Sequence, residues 1–334
     1  MYLKRMAMTM VLLAIVAYSV VMTLFSEAFR NSRVMPSPST SYNITTSSQP
    51  LTLITLFTTF QYYKDKIAYY RNTIRIWGKL APFVRPVLYY VHGEDYLVDF
   101  ARQHGWSVYR CPMVSKGNMP VLRSMFLHAQ TINETTPFYG YANGDILFDR
   151  NLVTTLEALK HACDQFKQIL VTGQRTDYHF KSDQELHSLS TVSQLASKGK
   201  LHPSYAQDYF ISTHSGFPWE SIPDFVVGRV GYDNWLVATA INRNFSVIDA
   251  TATVTALHQT GQDGNEAGRN VKRDIADKYI NYHLAGKFDY SDGTTTLSNY
   301  YTLQPGSQVF ILKRPFRLSF QKSFKRVIID GRTL

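Results

Sequence analysis

The chain has 334 residues, of which 45% are hydrophobic and 14% are aromatic, so it is not a disordered protein. The net charge of +10 favours anionic partners such as nucleotides, sugar phosphates, acidic glycans or a membrane surface. No recognition-helix motif, zinc-finger spacing or aromatic RNA-binding signature occurs, and nucleic acid is not an expected partner. Two cysteines, Cys111 and Cys163, are too few for a disulfide framework, and we expect either one pair or two buried thiols.

An uncharged apolar stretch occupies residues 7–25. Its length matches the ~20 residues that a helix needs to cross the hydrocarbon core of a bilayer. We predict a cytosolic tail at 1–6 followed by a transmembrane signal-anchor at 7–25, as in a single-pass type II membrane protein. The alternative is a cleaved signal peptide with a small-x-small site at 26–28, but the apolar run exceeds the usual core of about 7–15 residues.

The next segment, residues 26–50, is rich in Ser, Thr and Pro and lacks hydrophobic periodicity, which predicts a flexible stem. Glycosylation sequons occur at Asn43, Asn133 and Asn244. Together with the anchor, they predict a domain that faces the lumen of the Golgi or the ER.

Strand patterns alternate with helix patterns from residue 51 to about 250, which predicts a mostly parallel central sheet flanked by helices. Neither a GxGxxG nor a P-loop motif follows the first strand. The polar residues 174–204 predict a long loop or a small helical insertion. The predicted strands are 51–60, 85–91, 106–110, 138–142, 168–172, 209–213 and 245–249, and the helices are 62–80, 95–104, 120–132, 151–163 and 234–241.

The turn Asn143-Gly144-Asp145 follows the aromatic strand 138–142 directly. An Asn-Gly pair between β-rich runs is also the usual signal for a two-residue hairpin, and that alternative stays open. Oxygen ligands at the end of a rigid strand suit a hard divalent cation such as Mg²⁺ or Mn²⁺. Ligands of parallel sheets bind beyond the carboxyl ends of strands, where Thr58, Thr59 and Phe60 are also expected.

Two later features are candidates for the same site. Asp233 follows glycines at 228 and 231 where a helix begins, so it is either a general base or a helix N-cap. His258 follows a predicted strand and precedes a Gly- and Asp-rich segment, so it is either a metal ligand or a satisfied structural histidine.

Three motifs carry a resemblance to a known family: Tyr-Ala-Asn-Gly-Asp-Ile-Leu at 141–147, Tyr-Asp-Asn-Trp-Leu-Val at 232–237, and His258-Gln259. Their order and spacing resemble those of GT-A fold glycosyltransferases, in the nucleotide-diphospho-sugar transferase-like family. The resemblance implies a GT-A-like, Rossmann-like catalytic domain over 51–303. Asn143-Gly144-Asp145 matches the family's Asp-x-Asp turn, with Asp145 and His258 as metal ligands. Asn143 departs from the usual first aspartate.

The resemblance further implies Mn²⁺ or Mg²⁺, a nucleotide-diphosphate sugar as donor, and Asp233 as the acidic catalytic residue. Thr58, Thr59, Phe60, Asn143 and Gly144 match the region that holds the nucleotide. Transfer from a diphosphate leaves a dianion, for which basic side chains are candidate contacts, although each could equally be a solvated surface charge. These candidates are Arg75, Lys116 and Arg123.

The predicted function is metal-dependent transfer of a hexosyl or pentosyl group to a glycan or glycoprotein, with inversion if Asp233 acts as base. Because Asn143 removes one charge from the motif, a catalytically weakened carbohydrate-binding or scaffolding protein is the first alternative. A nucleotidyltransferase is the second, and the predicted lumenal location disfavours it.

Residues 304–334 form a basic C-terminal extension, with seven Lys or Arg residues and one acid, Asp330, from residue 311 onward. The default expectation is a tail that packs on the domain, and the alternative is contact with a membrane or an acidic glycan.

Overall fold

The structure is a computed structural model and describes residues 52–61, 64–92, 95–162, 165–166, 168–181, 183–261, 279–315, 328–329 and 332–333. Among these residues, no helix is both long enough and apolar enough to cross a bilayer. The predicted anchor and stem lie outside the described ranges and stay predictions, as do the domain boundaries. Cys111 is a buried free thiol, and Cys163 lies outside the described ranges.

A mixed sheet of nine strands forms the centre of the fold, in the order β13-β12-β10-β6-β9-β4-β1-β2-β3. Its pairings are parallel except those of β9 and β13, which run against their neighbours. The predicted mostly parallel sheet is therefore confirmed. The strands are β1 (Ile54–Thr59), β2 (Val84–Tyr90), β3 (Ser107–Arg110), β4 (Phe138–Ala142), β6 (Ile169–Thr172), β9 (Tyr209–Thr213), β10 (Ser246–Asp249), β12 (Tyr300–Leu303) and β13 (Phe310–Lys313).

A second sheet has the order β5-β11-β7-β8 and is built from short strands. In addition, β14 (Ile328–Ile329) pairs with β15 (Arg332–Thr333). The strands of the second sheet are β5 (Ile146–Phe148), β7 (Thr176–His179), β8 (Lys200–Leu201) and β11 (Ala256–Thr260).

The five predicted helices are present among the described residues, together with one in the segment 174–204 and one at Ile280–Ala285 that was not predicted. They are α1 (Ile67–Gly78), α2 (Asp95–Gln103), α3 (Leu122–Ile132), α4 (Asn151–Ala162), α5 (Leu189–Ala196), α6 (Tyr232–Asn242) and α7 (Ile280–Ala285). Short 3-10 turns cover Lys64–Lys66, Trp219–Ser221, Tyr290–Gly293 and Thr295–Leu297.

Both faces of the central sheet are covered, because successive side chains of a strand point to opposite faces. Leu56 of β1 joins one buried cluster with Trp77 of α1. Phe57 joins the other cluster, where its ring meets that of Phe126 from α3 at 4.7 Å and 82°. Helices on both faces explain why the strands are continuous hydrophobic runs rather than alternating ones.

The Asn143-Gly144 turn does not close a hairpin. β4 and β5 flank it, yet β4 belongs to the central sheet while β5 pairs with β11 in the second sheet. The turn therefore carries the chain from one sheet to the other. A Cβ atom on Gly144 would lie 2.6 Å from Cδ1 of Phe60, so only glycine fits this close approach.

The segment 174–204 differs from the predicted loop or helical insertion. It contains α5 but also β7 and β8, which complete the second sheet. These strands are short, and β8 is exposed, so they lack the apolar alternation that predicts a strand. His258 likewise lies within strand β11 rather than after a strand.

The basic C-terminal extension is described as far as residue 315. β13 adds to the edge of the central sheet beside β12. Arg314 pairs with Asp249 at 2.7 Å, and its guanidinium lies over the ring of Tyr301. This part of the extension packs on the domain, as expected by default.

Gln259 ties the second sheet to α1 and to the Asp145 turn. Its Nε2 donates to the carbonyl oxygen of Tyr69 at 3.1 Å, and its Oε1 accepts from Nδ2 of Asn72 at 3.0 Å. Its backbone N–H donates to the carbonyl oxygen of Asp145 at 3.1 Å. The glutamine of the His-Gln motif therefore has a structural role.

We predict that Gln259→Leu lowers the free energy of unfolding by about 1–3 kcal/mol, because it leaves buried polar partners unsatisfied. Urea denaturation followed by circular dichroism measures this change. The control Gln194→Leu, at an exposed position on α5, should change stability by less than about 0.5 kcal/mol. Equal stability of Gln259→Leu and the wild-type protein would contradict the structural role.

Candidate active site

Polar residues from three strands meet at one edge of the central sheet. Asn143 follows β4 and Arg175 follows β6, while Asp208 precedes β9. Because β9 is antiparallel to both β4 and β6, its beginning lies at the edge where those two strands end. The topology thus gathers side chains that are far apart in the sequence, as expected where parallel strands end.

Asn143 is fully engaged with its neighbours. Its Nδ2 donates to Oδ1 of Asp208 at 2.5 Å, and its Oδ1 accepts from the hydroxyl of Tyr141 at 2.9 Å. The hydroxyl of Tyr232 lies 3.5 Å from the same oxygen. An aspartate at 143 would put two carboxylates at hydrogen-bond distance, so the neighbouring Asp208 explains the amide at this position.

Asp145 and His258 lie side by side, as predicted. β11 pairs with β5 so that His258 is opposite Ile146, the residue after Asp145. His258 Nε2 is 3.3 Å from Oδ2 of Asp145, and the two side chains are 7% and 19% exposed. A carboxylate and an imidazole therefore share one nearly buried position that solvent still reaches.

Asp177, which was not predicted from the sequence, contacts the second ring nitrogen of His258. The residue lies on β7 in register with His258 on β11. His258 Nδ1 is 3.1 Å from Oδ1 of Asp177, and His202 Nδ1 is 2.7 Å from Oδ2. An ionised carboxylate only accepts hydrogen bonds, so Nδ1 of His258 donates to Asp177 and Nε2, while it is protonated, donates to Asp145. Asp177 thus orients the ring so that Nε2 faces Asp145.

Arg175, which was also not predicted from the sequence, links Asp177 to Asp208. Its Nη1 donates to Oδ2 of Asp208 at 2.5 Å, and its Nε donates to Oδ1 of Asp177 at 2.9 Å. All three side chains are largely buried, at 8%, 8% and 17% exposure. The guanidinium therefore satisfies two carboxylates whose charges would otherwise be costly to bury.

The charges in this cluster shift the pKa values of its members. Burial alone would raise the pKa of Asp145, but the adjacent His258 outweighs burial and holds this pKa well below its usual range. Burial would also raise the pKa of Asp177, but hydrogen bonds from His202 and His258 outweigh burial and lower this pKa. Burial would lower the pKa of His258, yet Asp145 and Asp177 together raise it to about 9.

The geometry of Asp145 and His258 fits a divalent cation. Two ligand atoms that each lie about 2.1 Å from one ion, at a roughly right angle, are about 3.0 Å apart, close to the observed 3.3 Å. Within the described residues, no group of three or more His, Cys, Asp or Glu side chains is arranged to hold a metal. Mg²⁺ sites often use one or two protein ligands and complete the shell with substrate phosphates and water.

Asp233 is the second residue of α6 and lies in its first turn, but it is not the N-cap. Gly231 occupies that position with a φ of 103°, a conformation that favours glycine. Burial raises the pKa of Asp233 to about 6, the nearby charge of Asp208 adds to this effect, and backbone N–H groups at the helix start oppose it. Asp233 is therefore linked to the cluster through Asp208.

The predicted nucleotide residues lie at the same edge of the sheet. Phe60 packs against Gly144 next to the Asp145 turn, and its ring stacks on Tyr70 at 4.5 Å. Thr58 is a buried residue near the end of β1, and Thr59 is the last residue of that strand, with its Oγ1 buried and unbonded in the described structure. The nucleotide role of these residues stays a prediction.

The three predicted diphosphate contacts have other surroundings. Arg75 pairs with Glu185 at 3.1 Å and lies over the ring of Phe100. Arg123 donates to Asp224, and Lys116 is exposed in the loop after β3. Arg75 and Arg123 thus contact residues outside the Asp145 cluster, and the structure does not bring these three side chains together. The Asp145 cluster consists of Asn143, Asp145, Arg175, Asp177, Asp208 and His258.

Two depressions lie elsewhere on the described surface. One, of about 300 Å³, is lined by Leu53, Phe83, Glu157, Lys160 and His161. The other, of about 290 Å³, is lined by Arg75, Gly78, Lys79, His104 and His187. Neither lining includes a member of the Asp145 cluster, which is distinguished by its charges and hydrogen bonds rather than by cavity size.

No protein-family model matches the chain, and no curated protein matches it. Among solved structures it is similar to glucosyl-3-phosphoglycerate synthase from Mycobacterium tuberculosis in complex with Mn²⁺, UDP and phosphoglyceric acid. The identity is 12% and the TM-score 0.40, over 79% of this chain and 87% of that chain. A complex of the same enzyme with Mn²⁺, UDP and glucosyl-3-phosphoglycerate has an identity of 10% and a TM-score of 0.34, over 63% of this chain and 70% of that chain.

A cytidylyltransferase from Leptospira borgpetersenii is also similar, at 16% identity and a TM-score of 0.28, over 49% of this chain and 61% of that chain. At these identities the similarity concerns the fold alone. Because each of these TM-scores is below 0.5, we infer the function below from the geometry of the chain itself.

We predict that the protein without added metal loses stability as the pH rises from about 6.5 to about 9. The folded pKa of His258 is raised, so its contribution is complete below its unfolded pKa and disappears as the pH passes the folded value. The loss should reach up to about 3 kcal/mol. Urea denaturation at several pH values measures it.

Two variants isolate this effect. His258→Gln should remove the pH dependence between 6.5 and 9, whereas His92→Gln, at an exposed position, should keep the wild-type profile. A His258→Gln profile parallel to that of the wild-type protein would show that other groups cause the pH dependence.

Proposed function

We propose that the protein is a metal-dependent glycosyltransferase that moves a hexosyl or pentosyl group from a nucleotide-diphosphate sugar to a glycan or glycoprotein. The observation that carries the proposal is the contact of 3.3 Å between Asp145 and His258. Asp177 orients the ring of His258. Asp233 lies close enough to Asp208, a neighbour of this contact, for the two carboxylates to interact electrostatically. From sequence alone, we place the protein in the Golgi or ER membrane as a type II protein with this domain in the lumen.

The donor side of the site consists of Asp145 and His258. A bound Mn²⁺ or Mg²⁺ would neutralise the charge that develops on the diphosphate leaving group. The two side chains would hold the ion through Oδ2 and Nε2, and the proton on Nε2 must leave before this nitrogen can coordinate. Phe60 and Gly144, packed together at the end of β1, would border the nucleotide.

The acceptor side of the site is Asp233. Its carboxylate would accept the proton of an acceptor hydroxyl as that oxygen attacks the anomeric carbon, so the configuration inverts. A base works best with a pKa near the working pH, and the pKa of about 6 suits this role. Asp208 would support the role, because its negative charge raises the pKa of Asp233.

The surroundings of Asn143 bear on the alternative of a binding protein with weakened chemistry. That alternative arose because Asn143 replaces an aspartate. The amide donates to Asp208, so the carboxylate missing at 143 is present one strand away. This exchange keeps a negative charge at the sheet edge and favours the transferase over the alternative.

We predict that Asp145→Ala abolishes Mn²⁺ binding and metal-dependent turnover of the donor while the fold survives. Asp177→Asn should weaken Mn²⁺ binding by about 10–100-fold, because an asparagine orients the imidazole less strongly. Electron paramagnetic resonance of free Mn²⁺ measures binding, and sugar-nucleotide hydrolysis measures turnover over a panel of donors.

Asp183→Asn is the matched control, because Asp183 is exposed in the loop before α5. This variant should bind Mn²⁺ as tightly as the wild-type protein does. Full activity of Asp145→Ala would refute the metal assignment. Normal Mn²⁺ affinity of Asp177→Asn would show that Asp177 does not position His258.

We predict that Asp233→Asn lowers turnover by at least about 100-fold with little change in donor affinity, because general-base catalysis contributes about 10²–10⁴-fold. Wild-type turnover should rise with pH through about 6, as Asp233 loses its proton, and then level off. Steady-state kinetics from pH 5 to 8 measures both effects.

The variant Asp99→Asn, at an exposed position on α2, should keep the wild-type kinetics. Equal losses of turnover and of donor binding in Asp233→Asn would indicate a structural role at the start of α6.

A further inference from the structure

Aromatic side chains surround the first turn of α6, where Asp233 lies. We call this group the aromatic rim and define it as Tyr205, Tyr282, Phe288 and Tyr290. Tyr205 is 56% exposed, and the other three are half-buried. The core aromatic residues of the sheet, such as Phe57 and Phe126, are fully buried, so the rim differs from them in presenting ring surface to solvent.

The rim is fixed to α6 by hydrogen bonds of its backbone. Nδ2 of Asn234 donates to the carbonyl oxygen of Tyr205 at 2.7 Å and to that of Gly293 at 3.2 Å. A Cβ atom on Gly293 would lie 2.0 Å from the carbonyl oxygen of Asn234, so the turn that carries Tyr290 is pressed against the helix. Asn234, next to Asp233, therefore holds both sides of the rim.

Tyr290 lies beside the start of α6, where its Cε1 is 3.1 Å from the position of a Cβ atom on Gly231. Burial raises the pKa of Tyr290, and the neighbouring Tyr282 and the charge of Asp233 add to this effect. Tyr282 meets Tyr290 edge-on at 5.0 Å, and Phe288 lies at 4.1 Å with its plane tilted by 50°. Three rings thus form a continuous half-exposed surface beside the carboxylate.

Carboxylates outnumber cations along the chain at the rim. Asp233 lies in the first turn of α6, and Asp289 and Asp292 flank Tyr290 in the chain, whereas one lysine, Lys287, precedes Phe288. Repulsion from these carboxylates disfavours an anionic molecule such as phosphoglyceric acid. Faces of aromatic rings bind the apolar C–H faces of a sugar, and carboxylates accept hydrogen bonds from its hydroxyl groups.

We propose that the aromatic rim is the acceptor subsite and binds a neutral sugar ring by stacking, with one hydroxyl directed at Asp233. This inference rests on the proposed transferase function and specifies its acceptor as an uncharged saccharide. Tyr205 adds an exposed ring on the opposite side of Asn234, where a second sugar unit of an oligosaccharide would lie.

The test is saturation-transfer-difference NMR of the full-length chain with Mg²⁺, which, unlike Mn²⁺, is diamagnetic and does not broaden the resonances of the probe. The probes are methyl glycosides of neutral hexoses, N-acetylhexosamines and pentoses at millimolar concentration, with 3-phosphoglycerate as the anionic comparison. We expect transfer to the ring C–H protons of at least one glycoside and none to 3-phosphoglycerate. Tyr290→Ala should lower the affinity, read from the concentration dependence of the transfer, roughly tenfold, whereas Tyr290→Phe should keep it.

Tyr96→Ala, which removes a tyrosine on α2 that is about as exposed as Tyr205, should bind glycosides as the wild-type protein does. If Tyr290→Ala fails to fold by circular dichroism, Tyr205→Ala with a disaccharide probe replaces it, with the same expected loss. Absence of transfer to every glycoside, transfer to 3-phosphoglycerate alone, or binding unchanged in the folded alanine variants would overturn the proposal.

Donor hydrolysis by the wild-type protein is measured separately. Glycoside binding without hydrolysis of any donor would refute the transferase and leave a saccharide-binding rim, whereas hydrolysis without glycoside binding would refute the rim alone.

Discussion

The imidazole of His258, held between Asp145 and Asp177, is the interaction on which the site depends. Each ring nitrogen faces a different carboxylate, at 3.3 and 3.1 Å. The contact needs both sheets, because Asp145 follows a strand of the central sheet whereas β11 and β7 belong to the second sheet. Gln259 adds to this junction by bonding α1 and the backbone of Asp145. The second sheet therefore serves to position the imidazole.

The distribution of charge around this contact follows one rule: each buried carboxylate has a donor. Arg175 donates hydrogen bonds to Asp208 and Asp177, and Asn143 donates a further one to Asp208. If Asn143 were an aspartate, Asp208 would lose a donor and gain a repulsive neighbour. The contact with Asp208 thus gives a structural reason for the amide at 143.

Much of the fold could be predicted from the sequence, because buried strands and amphipathic helices leave strong periodic patterns. The pairing of Asp145 with His258 was also predicted, but from motifs. Arg175, Asp177 and Asp208 were not predicted, since they lie in or next to a polar segment whose short strands show no alternation. One signal was available: Arg175 and Asp177 follow a buried strand by three and five residues, at the edge where ligands bind.

Asp145 and Asp233 lie at the same edge of the sheet, yet their surroundings move their pKa values in opposite directions. His258 keeps the pKa of Asp145 well below its usual range, so this carboxylate stays charged, as a cation ligand must. Burial raises the pKa of Asp233 to about 6, so this carboxylate can gain and lose a proton near neutral pH. Carboxylates whose environments separate their pKa values in this way take separate roles. This division agrees with the proposed function, in which Asp145 would act on the donor side and Asp233 on the acceptor side.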